Sequence, residues 1–218
     1  MRRTALIMAA CLMSLTFAAA AHAGKTPLGS TQLIASPASA RTCNAPLIEN
    51  PFGRFGDTRD YIMAPDGSFE DGVLQGWQLS GGARRVTEPD PVDLGPNDGA
   101  GMLAFSAQSS AISPTMCVDL NYPSFRLLAK AVRFPSSAEF KIEIIYPDTP
   151  KPEWKELTEF DGRQFVYAGS GWLLTSDLDM TPDLGGKTAG FRRAAFRFSS
   201  LSGEWRMDDL YVDPSRRI

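Results

Sequence analysis

The chain has 218 residues, of which 43% are hydrophobic and 22% charged, enough for one domain with a core of ordinary size. Its 22 Lys and Arg against 25 Asp and Glu give a formal net charge of −3, which argues against a polybasic nucleic-acid-binding protein and against intrinsic disorder. The single histidine, His22, lies in a segment that we expect to be removed, so histidine-based catalysis and histidine-ligated zinc are excluded from the mature chain.

Residues 1–23 have the features of a secretory signal peptide. Two arginines precede an apolar run over residues 6–17, and Ala21-His22-Ala23 offers small residues where a signal peptidase cleaves. The run is shorter than the roughly 20 residues that a membrane-spanning helix needs. We therefore predict cleavage after Ala23 and a secreted, extracellular protein with no membrane insertion.

Two cysteines, Cys43 and Cys117, remain after this cleavage, because Cys11 lies in the signal peptide. An even number of cysteines in an exported chain indicates a disulfide. We expect one bond between Cys43 and Cys117, with two free buried thiols as the alternative.

Residues 24–60 are expected to form a tether followed by an ordered arm. The first part, up to Thr42, is rich in Ser, Thr, Ala and Pro and has no helical or strand periodicity. Residues 44–60 place Leu47, Ile48, Phe52 and Phe55 between Pro and Gly, which suggests an arm that lies over a core without regular structure of its own.

Residues 61–214 have the pattern of an all-β domain, with short runs separated by Pro, Gly, Asp and Asn. Within the clearest run every second side chain is apolar: Phe140, Ile142, Ile144 and Tyr146. Further strands are predicted over 77–80, 84–87, 103–105, 111–119, 125–134, 164–168, 194–198 and 205–212. This spacing, with no long helical pattern, predicts a two-sheet antiparallel sandwich, a jelly roll.

The last of these strands contains a conflict of phase. Trp205 and Met207 share one face of a regular strand, whereas Leu210 and Val212 share the other. A β-bulge at Asp208-Asp209 would bring all four apolar side chains to the core and redirect one carboxylate.

Two segments at opposite ends of the domain carry a family resemblance. Residues 66–72 read Asp-Gly-Ser-Phe-Glu-Asp-Gly and are followed by Gly76-Trp77, and residues 204–213 contain Asp208-Asp209 between apolar residues. In these segments the chain resembles carbohydrate-binding modules of the galactose-binding-like jelly-roll superfamily. The usual Asn of the opening motif is Asp66 here.

The resemblance implies a structural calcium ion, held by Glu70 and by Asp208 or Asp209 together with backbone carbonyls. Carboxylate and carbonyl oxygens are the ligands that calcium prefers. The alternative is that Asp208 and Asp209 cap or pair with Arg206 at the edge of a sheet.

The tryptophans are candidates for stacking on a sugar. Trp77, Trp172 and Trp205 are expected in the core. Trp154 follows a loop stiffened by prolines and has charged neighbours, so it is either an exposed stacking platform or a further core residue. If it is exposed, Tyr167, Arg84 and Arg85 are weaker candidates for the same glycan.

No motif selects the two carboxylates that a glycosidase needs, so we do not expect an enzyme. The acidic, proline-rich loop from residue 87 to 101 is either a solvated connection or a ligand-facing loop. The function predicted from the sequence is a secreted, non-catalytic protein that binds a glycan or extracellular polymer and contains a structural calcium. The alternative is a stand-alone structural or protein-interaction sandwich with no sugar site.

Overall fold

The described part of the chain forms two antiparallel β-sheets. The structure, a computed structural model, describes residues 48–89, 92, 94, 99–118, 121–133, 135–165, 171–180 and 192–214. All of these belong to the larger of the two units into which the chain divides, residues 34–218. The predicted signal peptide, the tether and Cys43 lie outside the described residues. Within the described ranges, no helix has the length and apolar character needed to cross a membrane.

The strands of the described residues, in chain order, are β1 (Ile48–Glu49), β2 (Tyr61–Met63), β3 (Gln78–Ser80), β4 (Arg84–Thr87), β5 (Gly101–Phe105), β6 (Ser109–Ile112), β7 (Met116–Val118), β8 (Ser124–Arg133), β9 (Glu139–Ile145), β10 (Lys155–Asp161), β11 (Trp172–Leu174), β12 (Leu178–Asp179), β13 (Arg192–Ser202) and β14 (Glu204–Asp213). Three short 3-10 helices cover Gly53–Phe55, Pro135–Ser137 and Gly162–Phe165.

The eight-stranded sheet runs in the order β1-β2-β14-β5-β4, with β8 also paired to β14, and with β11 and β12 paired to β8. The six-stranded sheet runs in the order β10-β9-β13-β6-β3, with β7 also paired to β13. The predicted fold class, a two-sheet antiparallel sandwich of the jelly-roll kind, is confirmed.

The main core lies between the two sheets and is rich in aromatic rings. Phe140 of β9 lies 5.1 Å from Phe105 of β5 and 5.2 Å from Trp205 of β14, measured between ring centres. Phe125 of β8 lies 4.8 Å from Phe196 of β13. Offset and edge-to-face ring pairs at these distances contribute about 0.5–1.5 kcal/mol each beyond the area that they bury.

A second apolar cluster covers the outer face of the eight-stranded sheet, and the arm before β2 is part of it. The ring of Phe52 lies 4.7 Å from that of Tyr61 and 5.8 Å from that of Tyr211. The described part of the predicted arm thus packs on the sheet, and it has short regular elements, β1 and the 3-10 helix Gly53–Phe55, where none was expected. Phe55, expected among the apolar contacts, is 61% exposed.

Most predicted strands are found, and two of the predictions need correction. The strand predicted over 111–119 is two strands, β6 and β7, because Pro114 lies between them and cannot donate a backbone hydrogen bond. Residues 162–165 form a 3-10 helix where a strand was predicted from residue 164. Strand β10 was not predicted at all.

The predicted bulge in β14 is confirmed. The register of β14 with β8 shifts between Asp208 and Tyr211, and Asp209 has a φ of 51°. The side chains on both sides of the bulge belong to the same core: Trp205, Met207, Leu210 and Val212. At the bulge β14 also exchanges its neighbour, from β5 before it to β2 after it.

Candidate functional site

The outer face of the six-stranded sheet is the face directed away from the core. Phe196 and Phe198 of β13 point into the core, so Arg197 between them points outward. The same alternation in β9 buries Ile142 and Ile144 and directs Glu143 outward. These strands supply polar side chains to a surface that the core does not use.

A row of side chains that are polar except for Ile112 crosses this outer face. Arg197 lies opposite Glu143 on one side and opposite Ile112 on the other. The row continues to Gln78 on β3 and to Glu156 on β10. Side chains directly opposite each other in antiparallel strands lie on the same face, so these residues form one continuous band.

Glu143 is held at the centre of the row by two cations. Its Oε2 accepts a hydrogen bond of 2.6 Å from Nε of Arg197, and its Oε1 lies 3.4 Å from Nζ of Lys141. Burial raises the pKa of Glu143, but the hydrogen bond and charge of Arg197 and the charge of Lys141 outweigh it and lower the pKa. The carboxylate is 6% exposed as a residue and stays ionised in a fixed position.

Trp154 lies over this row. It is half-buried, and the guanidinium carbon of Arg197 lies 4.5 Å from the centre of its ring. The other three tryptophans are buried, as predicted: Trp77, Trp172 and Trp205. Trp154 is therefore neither a core residue nor a fully exposed platform, because one charged side chain rests against its ring.

A cavity of about 330 Å³ lies beside Trp154 along the chain, in the proline-rich loop between β9 and β10. Its lining is mixed polar and apolar, with Tyr146, Thr149, Pro150, Lys151, Glu153 and Lys155. The loop therefore contains a concave surface, and Trp154 is not among the residues that line it.

Arg84 and Arg85 do not join Trp154. Both lie on β4, at the edge of the eight-stranded sheet, whereas Trp154 contacts the six-stranded sheet. Arg84 is exposed and makes no hydrogen bond or ion pair within the described part of the chain. The grouping of these arginines with Trp154 is therefore wrong; the sequence could not reveal which sheet each strand joins.

Two other predicted site residues cannot be placed. Tyr167 and Cys43 lie outside the described residues. Cys117 lies on β7, opposite Arg193 of β13. A contact of Tyr167 with a glycan and the Cys43–Cys117 bond both stay predictions.

The opening and closing motifs meet, as their joint resemblance implies. The backbone N–H of Ala64 donates to the carbonyl of Leu210, and the N–H of Leu210 donates to the carbonyl of Gly67, each at 3.0 Å. These bonds connect the start of the opening loop to β14 directly after its bulge.

Two backbone carbonyls of the opening loop accept hydrogen bonds from Arg85. Nε of Arg85 donates to the carbonyl of Phe69 at 2.5 Å, and Nη2 donates to the carbonyl of Glu70 at 3.1 Å. Oε1 of Glu70 accepts from the N–H of Gly101 at 2.8 Å. Burial and the charge of Asp71 raise the pKa of Asp66, whose buried Oδ2 has no hydrogen-bond partner within the described residues.

Asp208 and Asp209 are buried at the bulge, with 1% exposure each. Oδ1 of Asp208 accepts from the N–H of Asp209 at 2.9 Å. Pairing with Arg206 was the alternative to a metal, but Arg206 donates instead to Oε1 of Glu88, at 2.9 Å from Nε and 2.6 Å from Nη2.

The calcium site over Glu70, Asp208 and Asp209 stays a prediction. Among the residues that the structure describes, no three His, Cys, Asp or Glu side chains are grouped so that they could hold a metal ion. The Phe69 and Glu70 carbonyls accept from Arg85 and are therefore not available to a calcium ion in the described structure.

A buried charge network on the outer face of the eight-stranded sheet was not predicted. Arg126 donates through Nε to both carboxylate oxygens of Asp213, at 2.8 and 2.9 Å, and through Nη2 to Asp177. Burial raises the pKa of Asp213 to about 6, although Arg126 acts to lower it. The guanidinium of Arg126 also lies 5.0 Å from the ring centre of Phe52 and 5.3 Å from that of Tyr61. Through its contact with Phe52, this network connects the arm to the eight-stranded sheet.

No protein-family model and no curated protein matches the chain. The similar solved structures include a protein from a study of promiscuous specificity in carbohydrate-binding modules of the β-sandwich superfamily, at 14% identity over 67% of this chain and 60% of that chain (TM-score 0.42). They also include the CBM22-1 xylan-binding domain of Paenibacillus barcinonensis Xyn10C, at 12% identity over 70% of this chain and 94% of that one (TM-score 0.44). A third is CBM28, a module specific for non-crystalline cellulose, at 11% identity over 70% and 96% (TM-score 0.47).

The three structures named here come from carbohydrate-binding modules, the kind of protein that the motifs resemble, and the similar structures also include a glycoside hydrolase domain, Endo-D from Streptococcus pneumoniae R6. With TM-scores below 0.5, these similarities carry no argument about what the chain binds.

Proposed function

We propose that the protein binds a glycan on the outer face of the six-stranded sheet, at the band that contains Trp154, Arg197 and Glu143. The observation that carries the proposal is the placement of a half-exposed indole against a row of fixed polar groups on a sheet face that the core does not use.

The chemistry of the band suits a sugar. A pyranose ring presents C–H groups that pack against an aromatic ring, and hydroxyls that need directional hydrogen-bond partners around it. Arg197 supplies N–H donors that are fixed in place, since its Nε donates to the buried carboxylate of Glu143 at 2.6 Å. Gln78 and Glu156, both exposed, lie at the two ends of the band.

The proposal includes export. A chain whose first 23 residues are a signal peptide would meet polysaccharides outside the cell, and a net charge of −3 does not favour phosphate backbones. The glycan proposal does not depend on a bound calcium ion.

Affinity gel electrophoresis tests the proposal. The mature chain would be run in gels that contain single soluble polysaccharides, beside Trp154→Ala and Arg84→Ala. We expect at least one polysaccharide to retard the wild type and Arg84→Ala, and Trp154→Ala to bind at least about tenfold more weakly, equivalent to about 1.4 kcal/mol.

Arg84→Ala is the matched control because Arg84 is exposed but lies on the other sheet. Retardation of Trp154→Ala equal to that of the wild type would place the sugar elsewhere and refute the site. If no polysaccharide retards the wild type, the alternative of a structural or protein-interaction sandwich is favoured.

A further inference from the structure

Arg85 projects from the edge of the eight-stranded sheet towards the opening loop. It lies opposite Leu103, a core residue, so its side chain starts on the core side of β4. Its neighbour Arg84 lies opposite Ala104 and points to the other face. The guanidinium of Arg85 reaches two successive carbonyls of the loop, those of Phe69 and Glu70.

The oxygen atoms around Arg85 are those that a cation at this loop would need. Calcium takes six to eight oxygen ligands at about 2.3–2.6 Å, from carboxylates and backbone carbonyls together. Here two carbonyls accept from the guanidinium, and one oxygen of Glu70 accepts from the N–H of Gly101. The guanidinium group of an arginine has five N–H donors and can satisfy such oxygens without a metal.

Two glycines show how closely the chain surrounds these groups. A Cβ added to Gly101 would lie 2.4 Å from the carbonyl oxygen of Phe69 and 2.5 Å from Nη2 of Arg85. A Cβ added to Gly99 would lie 2.4 Å from Oε2 of Glu70. The chain before and at the start of β5 therefore packs directly on the loop and its arginine.

The position of this loop also determines part of the core. Phe69 is fully buried and its ring lies 5.0 Å from that of Trp77, whose Nε1 donates to the carbonyl of Pro65 at 3.0 Å. Phe69 has a φ of 58°, a conformation that non-glycine residues adopt only when their surroundings hold them. A cation at the Phe69 and Glu70 carbonyls thus supports a strained backbone and an aromatic contact together.

We infer that Arg85 is the internal cation of the opening loop and takes backbone oxygens that the calcium ion implied by the family resemblance would use, so that the domain is stable without the metal. The inference is independent of the proposed glycan site, which lies on the other sheet.

Thermal unfolding of the full mature chain tests the inference, with Arg85→Ala, Arg85→Lys and Arg84→Ala measured in a calcium chelator and in millimolar calcium. The Tm of the wild type should be the same in chelator and in calcium, and the same should hold for Arg84→Ala. Arg85→Ala should melt about 4–8 °C lower in chelator. Calcium should raise the Tm of this variant, because the freed oxygens can then accept a metal. The Tm of Arg85→Lys in chelator should lie between those of the wild type and Arg85→Ala, since lysine keeps the positive charge but lacks the planar guanidinium.

Three results would overturn the inference: a wild-type Tm that falls in chelator, an Arg85→Ala variant that melts like Arg84→Ala, or an Arg85→Ala variant that calcium does not stabilise. Should Arg85→Ala fail to fold, calorimetric titration of the chelator-treated wild type with calcium decides the question. No heat of binding is expected there, and a saturable binding isotherm contradicts the assignment.

Discussion

Arg197 joins Trp154 to Glu143: its guanidinium carbon lies 4.5 Å from the centre of the indole ring, and its Nε donates to Oε2 of Glu143 at 2.6 Å. The ring on the surface is thus held by a side chain that is itself held by a buried carboxylate. An indole fixed in this way loses little freedom when a ligand packs against it, which favours binding.

We expect Trp154 and Arg197 to be energetically coupled. A double-mutant cycle with Trp154→Ala, Arg197→Ala and the double variant, measured by urea unfolding, should give a coupling free energy of about 0.5–1 kcal/mol. Trp154→Ala alone should cost less than truncation of a fully buried tryptophan such as Trp205, for which about 3–5 kcal/mol is expected. Strictly additive effects would show that the contact between ring and guanidinium contributes nothing.

The stability of the domain should depend on pH through the protonation of the Asp213 carboxyl group. Burial raises the pKa of Asp213 to about 6 from an ordinary 3.8. Because the folded carboxyl then binds its proton more tightly than the unfolded chain does, stability rises as pH falls through 6 towards 4. Between pH 7 and 4.5 the wild type should gain about 2 kcal/mol relative to Asp213→Asn, in the free energy of unfolding measured with urea.

Asp148→Asn is the control for this measurement. The hydrogen bond from Arg193 lowers the pKa of Asp148, so its stabilising effect is lost only as pH falls below its ordinary value of 3.8. The difference between wild type and Asp148→Asn should therefore stay constant from pH 7 to 4.5. If the difference in the free energy of unfolding between wild type and Asp213→Asn is also constant over this pH range, the pH dependence does not come from Asp213.

The fold could be predicted from the sequence where the apolar pattern is strong. The phase conflict between Trp205 and Leu210 is enough to predict the bulge, because only an extra residue lets both face one core. Strand β10 was not predicted because its apolar pattern is weak. Its sequence, Lys-Glu-Leu-Thr-Glu-Phe-Asp, has charged residues in both phases, and its own bulge between Glu156 and Thr158 breaks the alternation.

The candidate site could be predicted only in part. Trp154 stands out locally, from its prolines and charged neighbours, but its partner Arg197 lies on a strand 43 positions later in the sequence. Which residues share a band depends on the register between distant strands, such as Arg197 against Glu143. Arg85 was assigned to a glycan because the sequence does not show that its guanidinium reaches the Phe69 carbonyl.

The Cys43–Cys117 bond is a prediction that peptide mapping can check. If it forms, it closes a loop of about 74 residues and restricts the unfolded chain by about 4–5 kcal/mol as an upper figure. Proteolysis of the protein without reduction should yield one linked peptide that contains both cysteines. Recovery of both thiols in alkylated form would refute the bond.

The most direct test of the central claim is the response of the Trp154 indole to a sugar. The polysaccharide that retards the wild type in the gel assay, or an oligosaccharide prepared from it, would be titrated into ¹⁵N-labelled protein while the indole N–H signals of the tryptophans are followed by NMR. The account predicts that the Trp154 signal shifts in a saturable manner, whereas the signal of Trp205, fully buried in the core, stays in place. A Trp154 signal that does not move while the protein binds the sugar would contradict the proposed site.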